Sequence, residues 1–393
     1  METVNKTYLR LWRSFALAIS LALIAYLLYF RKLSSLLPGY SPPELATFVG
    51  AKNWHTIVGD PAYAPYKAIV WLFTAEFHNG IIVTRIVSAW LALIVGLLFY
   101  VCVRNWRGFR TAFLATVIFI TSGALLHFAR LGTGYITQMG ILVLIDLTLW
   151  YRNKPNRRTW LGFCIVAAAA LLLYIPGMIW FELLGAACLS ATIKGQLRRK
   201  KTQTLAGLIV LPLLLIAPLV YECIKHSKNL LQILGLPQQL HQLQHFGVNA
   251  CQTVIGIAAR SYGSPLISVG HAPLLSAVEV VLGLLGAYYV LRMAKRRVFL
   301  FGYLALGLVL VSLGGDVTIA CLVPILYLCV AIGMDHLLNE WMTVFPRNPI
   351  ARMTGVGIVS LMLIFSVLYQ VRAYYVAWPH APATQKLFSH TVR

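Results

Sequence analysis

Residues 81–103 read IIVTRIVSAWLALIVGLLFYVCV, with Arg85 as the sole charge, and Arg104 follows directly. A run of this length covers the ~30 Å hydrocarbon core of a bilayer, and its backbone polar groups are satisfied there only if it coils into a helix. The same reading extends outward along the chain. Further apolar runs lie near 14–30, 111–127, 133–151, 158–174, 176–193, 204–221, 274–291, 298–313, 317–337 and 353–371. Runs 158–174 and 176–193 meet at Tyr174-Ile175-Pro176-Gly177, where Pro and Gly mark a tight turn between two spans. The expected architecture is an all-α polytopic membrane protein with about eleven transmembrane helices.

Composition agrees with that reading. Of the 393 residues, 59% are hydrophobic and 11% are charged, a balance that no soluble fold of this size can cover with polar surface. The 33 Lys and Arg against 11 Asp and Glu give +22, which in a soluble chain points to nucleic acid. Here the basic residues fall in short clusters between apolar runs, which is the signature of cytoplasmic loops, and no nucleic-acid partner is expected. Counting alternate connections places 21 basic residues on one side and 11 on the other, with Arg85 left inside a span. The amino terminus is therefore expected in the cytoplasm and the carboxyl terminus outside, in a plasma (inner) membrane. Run 14–30 is followed by Arg31-Lys32 without a small-residue cleavage site, so it reads as an uncleaved anchor.

A single membrane-embedded domain over 1–393 is expected, with external segments 31–80, 222–273 and 372–393. Loops this long in a compact membrane protein usually carry function or helices of their own. In the first, Ser41-Pro42-Pro43 opens a short helix at Glu44, and a second runs from Pro65 through Phe73 along the interface. The external charges are few: Glu44, Asp60, Glu76, Arg85, Arg130, Glu222, Lys225, Arg260, Glu279 and Asp316. A charge in or beside a span is costly in lipid and counts as a functional candidate. Arg85 and Arg130, at the ends of their spans, suit a phosphate at headgroup level.

Several motifs together carry a resemblance. They are Pro43-Glu44-Leu45-Ala46-Thr47-Phe48, Pro65-Tyr66, Arg85-Ile86-Val87-Ser88 and Phe128-Ala129-Arg130-Leu131, then Pro324 and Gly333, and finally Tyr374-Tyr375 with Trp378-Pro379 and Pro382. In this order they resemble the family 39 and related C-type membrane glycosyltransferases, among them protein mannosyltransferases and lipid A aminoarabinose transferases. The resemblance implies transfer of a sugar from a polyprenyl-phosphate carrier to a glycan, lipid or protein acceptor on the external face, with inversion at the anomeric carbon. It also implies Glu44 as the base or acceptor-orienting carboxylate, Asp60 as a secondary polar ligand, Arg85, Arg130 and Arg260 as phosphate ligands, and Lys67 as a headgroup contact. Membrane lipids are the other expected partners; no cofactor and no metal are expected. Two departures stand out: the family's first acidic residue falls on Pro43, and Gly134-Tyr135-Ile136-Thr137 lacks the acidic residue often found there.

Other functional classes leave marks of their own. A lipid or polysaccharide transporter, or flippase, would use Asp146, Glu182 and Glu279 as a relay, and a non-catalytic relative of the transferase fold fits the loss at Pro43. His241 and His245 have metal-ligand spacing but no acidic or Cys partner nearby, so they read as part of a polar interfacial helix. Asp146 and Glu182 read as paired helix-packing residues. Cys223 and Cys251, which share the second long loop, are the one pair placed for a disulfide. A phosphate-binding Gly-rich loop ending in Lys-Ser/Thr and a His-Glu-x-x-His motif are both absent, which removes ATPase and zinc-protease readings.

Overall fold

The computed structural model describes residues 2–77, 80–153, 158–197, 202–239, 244–261 and 263–389. A helix lies over each of the eleven apolar runs. In chain order the helices are α1 (Glu2–Phe30), α2 (Pro42–Gly50), α3 (Trp54–Gly59), α4 (Ala64–Phe77), α5 (Ile82–Arg107), α6 (Phe109–Thr121), α7 (Gly123–Arg130), α8 (Ile141–Asn153) and α9 (Arg158–Leu172). There follow α10 (Met178–Leu197), α11 (Thr202–Lys225), α12 (Ser227–Ile233), α13 (Phe246–Ala258), α14 (Ala277–Leu291), α15 (Ala294–Ser312), α16 (Val323–Val344), α17 (Pro349–Arg372) and α18 (Pro382–Leu387).

Five segments are long and apolar enough to cross a membrane: Ile82–Arg107, Gly134–Arg152, Thr204–Lys225, Ile319–Val344 and Pro349–Ala377. The pair α6 and α7 makes a sixth if its 56° bend lies within one span. The remaining runs form shorter apolar helices. The bend has a local cause, because Ser122 is extended and its Oγ accepts the Leu125 N–H (3.2 Å), capping a new helix where the old one stops. The first N–H of that new helix, on Gly123, is taken by Gln370 Oε1 of α17 (3.2 Å).

Burial separates centre from rim. The apolar window of α16 is 78% buried and that of α5 61%, whereas α11 is 6% and α17 17% buried. The outer helices show large apolar side chains such as Leu213, Leu214, Leu361, Phe365 and Leu368, the surface of an integral membrane protein facing hydrocarbon. At the centre α14 and α16 approach backbone to backbone. A Cβ on Gly286 would lie 1.9 Å from the Cys329 carbonyl oxygen, and one on Gly333 1.9 Å from that of Leu282. Small residues facing each other in this way are how helices pack in lipid, where no hydrophobic force draws them together.

The first long segment carries α2 and α4 near the expected positions, and α3 in addition. Both long segments meet at one end of the bundle, where Asn229 Nδ2 donates to Gly59 O (3.2 Å). The Pro176-Gly177 turn is also there, with Gly177 at φ +76° and its N–H on Ile233 O (2.8 Å). At the opposite end Asp335 accepts from Thr111 Oγ1 (2.6 Å) and Arg107 Nη1 (3.3 Å). All seven cysteines are free, so Cys223 and Cys251 are not bridged. His241 lies outside the described residues; His245 is exposed, and among the described residues no cluster of His, Cys, Asp and Glu could hold a metal.

Candidate functional site

The fold brings Glu44, Arg85 and the stretch after Arg130 to one place. Glu44 is the third residue of α2, and its Oε2 accepts the Ser41 N–H (2.8 Å) that precedes the helix. Ser41 Oγ donates to the same oxygen (3.0 Å). Arg85, in the first turn of α5, donates from Nε to Oε1 (2.7 Å) and from Nη2 to Oε2 (3.0 Å). The Gly132 N–H completes the set at Oε1 (2.9 Å). Five donors thus converge on two carboxylate oxygens that are 0% exposed. A side chain on Gly132 is excluded, since its Cβ would sit 2.2 Å from Thr84 Oγ1 and 3.2 Å from Glu44 Oε1.

Arg85 is equally enclosed. Its Nη2 also donates to Gly39 O (2.8 Å) and its Nη1 to Leu33 O (3.4 Å), and the Tyr40 ring lies 4.5 Å from the guanidinium carbon. A buried ion pair is favourable only when its remaining donors and acceptors are also satisfied, and here the loop backbone supplies the partners. In this arrangement Glu44 and Arg85 staple segment 33–44 to α5 and α7.

Arg130 caps α1. Its Nη1 donates to the carbonyls of Leu28 (3.1 Å), Tyr29 (2.9 Å) and Arg31 (2.7 Å), and Nη2 to that of Lys32 (2.9 Å). A guanidinium at a helix C-terminus meets both the bare carbonyls and the negative end of the helix dipole. The rings of Tyr374 and Tyr375 lie 5.8 and 5.2 Å from it, and Tyr375 OH donates to Leu28 O. Arg130 is 3% exposed, while Arg31 and Lys32 next to it are exposed.

Asp60 and Lys67 form a separate pair. Lys67 Nζ donates to Asp60 Oδ2 (2.5 Å) and Asp60 O (3.0 Å), with the Lys67 stem buried and the Asp60 carboxylate half exposed. Arg260 is exposed just beyond α13, outside the Glu44 cluster. Glu279, at the start of α14, accepts from Ser276 N (2.7 Å), Ser366 Oγ (3.0 Å), Tyr327 OH (3.2 Å) and Gln370 Nε2 (3.2 Å), which joins α14, α16 and α17. Asp146 and Glu182 are not paired: both carboxylate oxygens of Asp146 and Oε1 of Glu182 lack a hydrogen-bond partner.

Sequence reasoning passed over the neutral groups that complete this end. Tyr66 OH lies 2.7 Å from Thr84 O and 2.9 Å from Ser88 Oγ, and burial pushes its phenol far above the ordinary range, so it stays a neutral donor. Gln138 Nε2 donates to Tyr63 OH (2.7 Å) and Asp316 O (2.9 Å), and its Oε1 accepts from Thr318 N (2.9 Å) and Oγ1 (2.8 Å). The Asp316 carboxyl is pushed up first by burial and then by Asp60, against the lowering effect of the Gln232 hydrogen bond and Lys67.

The arrangement of helices is similar to that of several solved structures. Among solved structures, ArnT from Cupriavidus metallidurans bound to undecaprenyl phosphate shares 14% identity, with 96% of this chain and 77% of that chain covered and a TM-score of 0.50. The same protein in its apo state gives 15%, 96%, 76% and 0.51. The Archaeoglobus fulgidus oligosaccharyltransferase, tethered through a disulfide to an acceptor peptide containing the NVT sequon, gives 13% identity and a TM-score of 0.55, covering 97% of this chain and 59% of that one. No family model and no curated protein match the sequence.

Proposed function

We propose that this chain transfers a sugar from a polyprenyl-phosphate carrier to an acceptor at the end of the bundle that holds α2, α3 and α4, and that this end faces outward, with the amino terminus cytoplasmic and the carboxyl terminus external. The observation that carries the reading is the meeting of Glu44 and Arg85 at Gly132, two residues beyond Arg130, on a fold shared with a protein that holds undecaprenyl phosphate. In the arrangement described, Glu44 and Arg85 hold the loop. Glu44 acts on an acceptor hydroxyl only when one of its five donors moves away, because a proton acceptor needs an open lone pair within reach of the proton. Arg130 serves the carrier by fixing the Arg31-Lys32 backbone, so that these two exposed cations meet the phosphate; Arg260 adds charge from the second long segment.

The test is a transfer assay in proteoliposomes, following radiolabelled sugar from a polyprenyl-phosphate-linked donor to endogenous lipid, glycan and peptide acceptors. Wild-type transfer that falls about 10²–10⁴-fold in Glu44→Gln, with carrier binding retained, supports the reading. Absence of transfer from every lipid-linked donor overturns it and leaves a non-catalytic relative of the fold. That second reading draws on a specific observation, the complete occupation of Glu44 and Arg85 by protein partners.

A further inference from the structure

The donors that hold Glu44 differ in what holds them. The Ser41 N–H and Oγ belong to the turn that opens α2, so they travel with the carboxylate they serve. The two from Arg85 are charge-assisted and come from a guanidinium that Gly39 O and Leu33 O also grip. The Gly132 N–H is neutral and single, and it comes from a different part of the fold. Its place depends on α7, since Leu131 alone separates Gly132 from the end of that helix.

Helix α7 is a short rod. Its eight residues span about 12 Å, and all of them are buried. Its side packs against α5. The 56° bend at Ser122 interrupts the hydrogen-bond ladder from α6, so α6 and α7 are not one rigid piece. At the far end Arg130 grips α1 through a long, flexible side chain. At the near end the grip is on the backbone itself: the Gly123 N–H donates to Gln370 Oε1 of α17 (3.2 Å). The approach is so close that a Cβ on Gly123 would lie 2.7 Å from that oxygen.

Gln370 is held in turn. Its Nε2 donates to Glu279 Oε2 (3.2 Å), which decides that the oxygen of the amide, and not the nitrogen, faces Gly123. Glu279 is anchored by Ser276, Ser366 and Tyr327, and both it and Gln370 are buried. A continuous run of hydrogen bonds and helix backbone therefore leads from α14 and α17 through α7 to the Glu44 carboxylate.

We propose that Gln370, oriented by Glu279, is a positioning residue for Glu44: it sets the place of α7, and α7 sets the Gly132 N–H on Oε1. The positioning stands on this geometry, and its effect on sugar transfer rests on the transferase reading.

The experiment uses the full chain in detergent and reads amide hydrogen exchange by mass spectrometry, on peptides that cover Gly132 and, for comparison, α5 and α16. Gln370→Leu removes both the acceptor for Gly123 and the donor to Glu279. Gln370→Asn keeps the amide on a side chain too short to reach both. Each is expected to speed exchange in the Gly132 peptide about three- to tenfold, with α5 and α16 unchanged. Ser366→Ala removes a different hydrogen bond from the same carboxylate and leaves the contact between Gln370 and Gly123, so the Gly132 peptide should exchange as in wild type. Unchanged exchange in both Gln370 variants overturns the proposal. Equal acceleration by Ser366→Ala overturns it too, because loosening the cluster anywhere would then suffice. Faster exchange at Gly132 in a chain that transfers no sugar keeps this inference and discards the transferase reading. Sugar transfer with Gly132 exchange indifferent to Gln370 does the reverse.

Discussion

Arg85 and Glu44, 41 positions apart in the chain, face each other through two N–H···O bonds and are both buried. The pair fastens a loop to a helix, and its geometry is the planar fork that a guanidinium alone offers. Removing one partner leaves the other charge without compensation. Glu44→Gln and Arg85→Met are therefore each expected to destabilise the chain by about 3–5 kcal/mol. Thermal unfolding in detergent checks this, and a double Glu44→Gln, Arg85→Met variant that recovers more than half of the lost stability would confirm that the uncompensated charge is responsible.

Arg130 covers four carbonyls at and beyond the end of α1. Arg130→Gln loses the charge-assisted part of that cap, on the order of 1.5–3 kcal/mol, and frees the exposed Arg31-Lys32 peptide. Trypsin should cut after Arg31 or Lys32 much faster in the variant than in wild type. Unchanged cleavage would show that the loop is held by other contacts.

Gly286 and Gly333 bring α14 and α16 into backbone contact. Gly286→Ala puts a methyl group into the Cys329 carbonyl, where no flexible side chain can yield. A loss of about 1–3 kcal/mol or more is expected, against little change for Gly357→Ala, whose Cβ meets nothing within 4 Å. Melting temperatures of the two variants decide the matter.

Asp316 has a carboxyl whose pKa in the fold is raised above its ordinary value, so folding prefers the protonated form. The stability it allows is fully present below about pH 3.8, the unfolded value, and declines as pH rises through the higher folded value. Asp316→Asn is expected to melt higher than wild type at pH 7 and to match it near pH 3.5. Equal melting temperatures at both pH values would remove the burial argument.

The bundle orientation has its own check. A reporter inserted after Lys201 is expected in the cytoplasm and one at Gln239 outside, on the strength of the basic asymmetry. Both reporters on one side would reverse that reading.

The helices were legible because apolar length and charge placement fix them, and a break such as Pro176-Gly177 announces itself through residues with restricted or permissive backbones. Glu44 and Arg85 stood out as candidates for a related reason, the scarcity of charges near the membrane, but the sequence assigned one to an acceptor and the other to a phosphate and did not pair them. What they do there was hidden. Arg130 binds backbone carbonyls, and Glu44 binds the N–H groups of Ser41 and Gly132, partners that every sequence possesses. Gly132 gives no sign in the sequence that a side chain there would strike Thr84. His127 stands just before the Phe128-Ala129-Arg130-Leu131 motif, yet a lone histidine on an apolar helix face carries no signal until its two nitrogens are seen in different surroundings.

The cap that Arg130 places on α1 bears on how the chain is made. The residues it serves are synthesised 98 to 102 positions earlier. At roughly 5–20 residues per second, α1 emerges some 5–20 s before the side chain that closes its end. During that interval the carbonyls of Leu28, Tyr29, Arg31 and Lys32 must be served by water, so the end of α1 is wet at birth and dries only when α7 arrives. The first helix is thus locked only once the seventh has been made, and a nascent chain cut short before Arg130 leaves that end of α1 uncapped.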